Sequence, residues 1–410
     1  MASSQDFTNE ILQGNAAFTN KIYKILSRTP GNVFFSPFSL HIIIAMAYQG
    51  SGNVTLETIQ KVFQIPDPLS TAIGYQEITR NLTSLKNALL HTAFKIYLRK
   101  EFRLLSSFEN TVKKYFESEV QSLDFDQTSA AVKEINEWVS EKTHGKIEDI
   151  VNDDLIASTS LLLLNAIYFK GSWDIPFSER KTKVRNFYLN DDDVVKVQMM
   201  NGVKYVFYNC NKQLMSQILA LPYEGGIYMV IFLPVYKNGI GELEALLSEM
   251  NHSEIFSQLD YTAVDVFLPK FKFETTMEMD DLMKETGLEV IYDEEKADFR
   301  GMIELAEGEN LCVTKILQKA CIEVNEKGSA VAAPVVEEYV PVGFPKVKRE
   351  FVKVIVDHPA VFMIVAGLFE KPNVLFYGRL SHPEEVTNSG ILSGFVNFVR
   401  KPFKTINRIF

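Results

Sequence analysis

The sequence predicts an α+β fold. Three observations lead there. Amphipathic helical stripes are concentrated in the first 145 residues, strand-like apolar runs dominate after residue 160, and no β-α-β rhythm links the two. With 46% apolar and 23% charged residues, the 410-residue chain suits a soluble protein with a large core. Its 21 glycines and 15 prolines are too few for collagen or low-complexity sequence. The net charge of -10 makes it a poor partner for nucleic acid or heparin-like polyanions. Length alone would allow two or three domains, but no Gly/Ser- or Pro-rich linker divides the chain.

The elements follow in order. Phe18, Ile22, Ile25 and Leu26 form a helical stripe over Phe18–Leu26. Ser36-Pro37 supplies a cap and first turn for a helix over Ser39–Gln49. Phe102–Glu117 and Thr128–Lys142 also read as helices, the latter with Gly145 near its C-cap. Leu161–Phe169 is apolar on both faces and predicts a central strand. Further strands are expected over Tyr228–Leu233, Val264–Leu268, Leu311–Val324, Val352–Val356, Val361–Phe369 and Val374–Leu380. Lys371-Pro372-Asn373 predicts a tight hairpin between the last two.

Between two of these strands lies Gly328–Arg349 (GSAVAAPVVEEYVPVGFPKVKR), with three prolines and many small residues. A structureless loop of that length inside a compact domain points to function. No G-x-S-x-G, Walker, H-E-x-x-H or G-x-G-x-x-G motif occurs, and the six histidines are scattered, so no enzyme, metal or cofactor is expected. Cys210, Cys312 and Cys321 read as reduced thiols rather than a disulfide framework. The longest apolar runs are far short of the roughly 20 residues a membrane span requires. No apolar segment of signal-peptide length opens the chain, so two expectations stand: cytoplasmic if Met1 is the native start, extracellular if this is a mature chain given a new Met. Sequons at Asn53, Asn81 and Asn251 mildly favour secretion.

Seven short stretches, in order, resemble one family. They are Asn32-Val-Phe-Phe-Ser36-Pro37-Phe-Ser39, Leu164-Asn165-Ala-Ile-Tyr-Phe-Lys-Gly171-Ser-Trp173, Leu221-Pro222-Tyr-Glu-Gly-Gly with Leu268-Pro269-Lys270-Phe, Glu323-Val-Asn-Glu326-Lys327-Gly328-Ser329, Asp357-His358-Pro359 and Phe376-Tyr377-Gly378-Arg379. The chain resembles the serpins over about residues 10–383. That resemblance implies one domain (1–383) with three β-sheets, eight to nine helices and an exposed reactive loop at about 328–349. The implied activity is that of a suicide inhibitor working as a monomer on a protease. The protease acylates itself on the loop, and the cut loop inserts as a new strand of the main sheet. About 15 inserted residues at roughly 3.3 Å each would carry the bond about 50 Å.

Insertion requires small, uncharged side chains. Ser329, Val331, Ala333 and Val335 fall on one face, and Ala330, Ala332, Pro334 and Val336 on the other. The hinge is therefore read as Glu326, Lys327, Gly328, Ser329, Ala330, Val331, Ala332 and Ala333, with Gly328 supplying backbone freedom. Three features oppose it: the bulk of Val331, the missing N–H of Pro334 and the charge of Glu337. By resemblance, Ser36 and Asn165 belong to a polar cluster at the sheet centre, with Gln318 where the family usually has histidine. Lys270, Glu326 and Trp173 match the entry point of the loop.

Counted from Glu326 in the family manner, the resemblance implies a reactive bond at Val342-Gly343, suited to an elastase-like serine protease. A one-residue shift leaves Val342 as the preceding apolar residue that papain-like cysteine proteases read. Counting back from Asp357-His358-Pro359 gives Lys348-Arg349, a trypsin-like bait. Residues 384–410 form a basic amphipathic extension. Ile391, Leu392, Phe395, Phe398 and Val399 make a helical stripe, beside Arg400, Lys401, Lys404 and Arg408, which suits contact with a membrane surface or partner. The alternative to inhibition is a non-inhibitory carrier, storage protein or chaperone of the same fold.

Overall fold

The computed structural model describes residues 4–85, 88–304, 310–328, 351–369, 371–387 and 390–392. Ser329–Ala333 and all three candidate reactive bonds lie outside them. The chain runs α1 (Ser4–Leu26), β1 (Val33–Phe35), α2 (Pro37–Tyr48), α3 (Asn53–Phe63) and α4 (Pro68–Thr83). Then come β2 (Ala88–Arg99), β3 (Arg103–Leu104), α5 (Ser106–Phe116), β4 (Glu119–Leu123), α6 (Thr128–Lys142), α7 (Asp153–Ile156) and β5 (Leu161–Gly171). β6 (Lys183–Tyr188), β7 (Val194–Asn211), β8 (Ser216–Pro222), β9 (Ile227–Pro234), α8 (Ile240–Leu247), α9 (His252–Phe256), β10 (Asp260–Pro269) and β11 (Phe271–Glu278) follow. The last part holds α10 (Asp280–Met283), β12 (Ile303–Glu304), β13 (Lys315–Val324), β14 (Val352–Ile355), β15 (Ala360–Ala366), β16 (Asn373–Leu380), β17 (Glu385–Thr387) and β18 (Gly390–Leu392).

One sheet has five strands in the order β11-β13-β5-β2-β4. At its centre β13 and β5 are parallel neighbours, in register from Lys315↔Leu162 to Ile322↔Phe169. Burial on both faces explains the unbroken apolar run of β5. Leu161, Leu163, Ile167 and Phe169 enter the main core, while Leu162, Leu164, Ala166 and Tyr168 pack beneath α6 with Ile135 and Val139. The second sheet is continuous because the 18-residue β7 runs through both its halves, pairing with β6, β8 and β10. Counted as two halves, it makes three sheets with the first.

α2 is buried along its whole length, from Pro37 to Tyr48. A helix apolar all round belongs inside a core. Ser36 caps it, its Oγ accepting from the Ser39 N–H at 3.2 Å, and Pro37 occupies the first turn, where a missing N–H costs nothing.

Several expectations are corrected. α1 begins at Ser4, not Phe18, because its first half is anchored on the core by Ile11 and by Asn15, which donates to Asn373 Oδ1 at 3.2 Å. The helix expected from Phe102 starts at Ser106, because Arg103–Leu104 pairs instead with β12. The strand expected from Leu311 joins the ladder only at Lys315. The predicted tight hairpin is longer: β15 ends at Ala366, and Gly367 takes a left-handed φ of 68°. Ten α-helices occur among the described residues, the one-turn helices α7 and α10 included, in keeping with the helix count the resemblance implies. Ile391 and Leu392 are not helical. They lie in β18, paired with β17 at Val386↔Ile391.

Candidate functional site

Ser36, Ser39, Asn165 and Gln318 meet in the middle of the five-stranded sheet, and all four are inaccessible to water. Asn165 on β5 and Gln318 on β13 are register partners. Gln318 Nε2 donates to Ser36 O at 2.9 Å, Ser39 Oγ at 2.8 Å and Asn165 Oδ1 at 3.1 Å, while its Oε1 accepts from the Ser36 N–H at 3.0 Å. Ser39 Oγ donates to Asn165 Oδ1 at 2.8 Å, and Ser36 Oγ to Leu375 O at 2.6 Å. Asn165 Nδ2 donates to Leu317 O at 3.2 Å, straight across the β5–β13 junction. A fully satisfied buried network of this kind is rigid, and expensive to break one partner at a time.

The second group lies where β13 ends. Asn325 and Gly328 exchange backbone hydrogen bonds around Glu326-Lys327, a two-residue hairpin turn. Gly328 also bridges Ser172, just past β5, so it already occupies the space between the two strands. Its φ is 115°, and a Cβ there would stand 2.2 Å from Gly171 O, so only glycine fits. Glu326 is held by Lys270 Nζ at 3.0 Å and by Thr182 Oγ1, which donates at 2.8 Å. Burial works to raise its carboxyl pKa, but the hydrogen bonds and the Lys270 charge outweigh it and hold it below the usual value. Trp173 is buried, stacks on Tyr223 at 4.1 Å and donates its Nε1–H to Asn325 O at 2.9 Å. Its indole thus packs into the core and also grips the turn.

The structure therefore brings Ser36, Asn165 and Gln318 into one cluster, and Lys270, Glu326 and Trp173 into another. Sequence reading missed Thr182 and Asn325, which carry no local signal. It also left out Ser39, although the Ser36-Pro37-Phe38-Ser39 spacing places both serines on the first turn of α2. The remaining loop residues fall outside the described residues. His41, His252 and His358 are buried in structural settings, and the Cys210, Cys312 and Cys321 thiols are free. Burial drives the His41 pKa down to about 3 and the His252 pKa to about 4.

Residues 13–383 match the family described as Serpin (serine protease inhibitor). The chain belongs to the serpin family. Among relatives of this serpin, the Bombyx mori antitrypsin is 34% identical, over 81% of this chain and 85% of its own length. Antichymotrypsin-2 of Bombyx mori is 33% identical over 92% and 99%. Serpin48 of Tenebrio molitor has a similar structure, with a TM-score of 0.81 and 30% identity, covering 91% of this chain and 98% of that one. Human thyroxine-binding globulin in complex with thyroxine also aligns at 0.81, with 26% identity over 92% and 99%. The fold is thus shared by proteins named as inhibitors and by a hormone-binding protein.

Proposed function

We propose that this serpin is a suicide substrate that traps a serine protease by cleavage and insertion of residues 328–349. The observation that carries this reading is the Gly328 contact. Gly328 pairs with Asn325 on one side and Ser172 on the other, and both bridges are antiparallel. Continuing each register sends Val335 between Asn165 and Gln318, and Glu337 between Leu163 and Ile316. Those are the pairs that β5 and β13 make with each other now. Two independent registers agree, so an incoming strand can part the sheet without shifting either neighbour.

In the inserted state the same register would put Ser329, Val331, Ala333 and Val335 toward the core and Pro334 between Ala166 and Lys319. Glu337 would meet Leu163 and Ile316, both fully buried. An uncompensated carboxylate there costs several kcal/mol or takes up a proton. Insertion should run easily through Val336 and slow at Glu337.

Incubation with an elastase-like protease should give an SDS-resistant band at the sum of the two masses, with the cut at Val342-Gly343. Cysteine proteases of the papain class and trypsin-like proteases cutting at Lys348-Arg349 complete the panel. Ser329→Arg should convert inhibitor into substrate, and Glu337→Ala should lower the number of inhibitor molecules consumed per protease. Simple cleavage and turnover by every protease in the panel would overturn the reading.

The carrier alternative gains support from Pro334, Glu337 and the hormone-binding relative. A melt decides it: loop cleavage should sharply raise the stability of an inhibitor and leave a carrier nearly unchanged. An extracellular site of action is proposed from the sequons, whose asparagines are exposed. Asn53 Nδ2 already donates to Asp298 at 2.6 Å, so Asn81 and Asn251 are the expected carriers of glycan, read by a glycosidase mass shift. No helix among the described residues is long and apolar enough to cross a membrane. Surface attachment through the basic segment Arg400–Arg408 is a separate proposal, checked by sedimentation with anionic vesicles.

A further inference from the structure

Four basic side chains converge on the outer face of the five-stranded sheet, next to the hinge contact. His91 on β2 pairs with Tyr168 on β5, and Lys170 with Leu89. Residues two apart on a strand share a face, so His91, Tyr168 and Lys170 point the same way. Tyr168 belongs to the cluster beneath α6, which identifies that face as the outer one. The turn closing α6 supplies the other two groups. His144 and Gly145 both take left-handed φ, 53° and 68°, reversing the chain so that His144 and Lys146 return to the sheet. The His91 and His144 rings meet edge to face at 4.8 Å, and His91 lies over Tyr168 at 6.1 Å.

Neither Lys146 nor Lys170 forms an ion pair among the described residues. Burial, then the charges of His144, Lys170 and Lys146, push the His91 pKa down. From β13 the acid that faces the group is Glu323, which acts on Tyr168 and accepts from Asn325 Nδ2 at 3.2 Å. The C-terminus of α6 carries only about half a negative charge, less than two lysines supply. His144 and Lys146 are exposed, and His91 and Lys170 half-buried, so a ligand has access.

We propose that His91, His144, Lys146 and Lys170 form a binding site for a tetrahedral oxyanion, a phosphate or sulfate group. Each ammonium offers three donors and each imidazolium two, enough to surround such a group with charge-assisted hydrogen bonds. A bound anion would bridge the end of α6 to β2 and β5. Affinity should rise as pH falls toward the lowered His91 pKa, because the protonated ring is the better donor.

Sulfate is the clean probe, since it stays a dianion across that range. Full-length protein is titrated with sodium sulfate against chloride at matched ionic strength, following the histidine C2–H resonances. Binding should be about tenfold tighter at pH 5.5 than at pH 8, equivalent to one gained charge-assisted bond. The His91 resonance should titrate at higher pH with sulfate present. Lys170→Gln and His144→Asn should each weaken binding about tenfold without moving the sulfate-free melt. Equal responses to sulfate and chloride, or unchanged binding by Lys170→Gln, would overturn the site. A sulfated disaccharide and ATP then identify the carrier: whichever displaces sulfate at lower concentration is its source, and displacement by neither assigns the free ion.

Discussion

The two clusters that keep the central sheet closed use opposite chemistry. At the middle, Ser36, Ser39, Asn165 and Gln318 are neutral and wholly buried. At the rim, Lys270 and Glu326 are charged, and the Lys270 side chain is 35% exposed. Neutral hydrogen bonds in a dry site do not respond to salt or pH, whereas a rim ion pair is screened by salt and titrates. Under the proposed insertion mechanism, the middle cluster would set how hard the sheet is to part, and the rim cluster when its entrance loosens.

The largest expected effect is in the middle. Asn165→Ala removes the acceptor for Ser39 and Gln318 and the donor to Leu317 O. Each buried group left unpaired costs roughly 1–3 kcal/mol, so a loss of about 3 kcal/mol is expected in urea, equal at low and high salt. A marked salt dependence would contradict the division of labour.

Gln318→His makes the middle behave like a titrating site. A histidine there is desolvated, so its folded pKa falls below the unfolded value of about 6.5. Stability is then full above that value and lost as pH drops below it, because only the unfolded chain takes up the proton. About 1–2 kcal/mol should disappear between pH 7 and pH 5 in the variant and not in the parent. Parallel pH curves for the two proteins would refute it.

At the rim the sign is the usual one for a carboxylate. The Glu326 pKa is lowered in the fold, so its contribution is present above the ordinary glutamate range and is lost as pH falls through the folded value. With Trp138→Phe isolating Trp173, the fluorescence of Trp173 should change at acid pH before the sheet unfolds. No early fluorescence change would mean that the ion pair does not control the entrance.

The smallest effect is that of Lys270→Ala, about 1 kcal/mol at low salt and near zero in 0.5 M salt, as for other partly exposed pairs. Thr182 remains to hold Glu326, which limits the loss.

Much of this site was legible in the sequence, for local reasons. Ser36-Pro37 announces a helix start, and Leu161–Phe169 announces a strand covered on both faces. Gly328 stands out as a backbone requirement after a strongly β segment. Other parts were not legible. α3 and α4 were passed over although Asp67-Pro68 is a helix start. β18 was read as helix because Ile391 and Leu392 carry no information about which neighbour will pair with them.

By itself, the sequence determined the α+β class, the central strand, the capped buried helix and six members of the two clusters (Ser36, Asn165, Gln318, Lys270, Glu326 and Trp173), because each follows from periodicity, capping or a family motif in one short segment. Only the tertiary structure decided that Gln318 faces Asn165 in register, that Glu326 is gripped by Thr182 as well as Lys270, and that Gly328 already sits between β13 and Ser172. The Gln318–Asn165, Glu326–Thr182 and Gly328–Ser172 contacts join segments more than a hundred residues apart. Their geometry is set by strand register and sheet packing, and side-chain spacing along one segment contains neither.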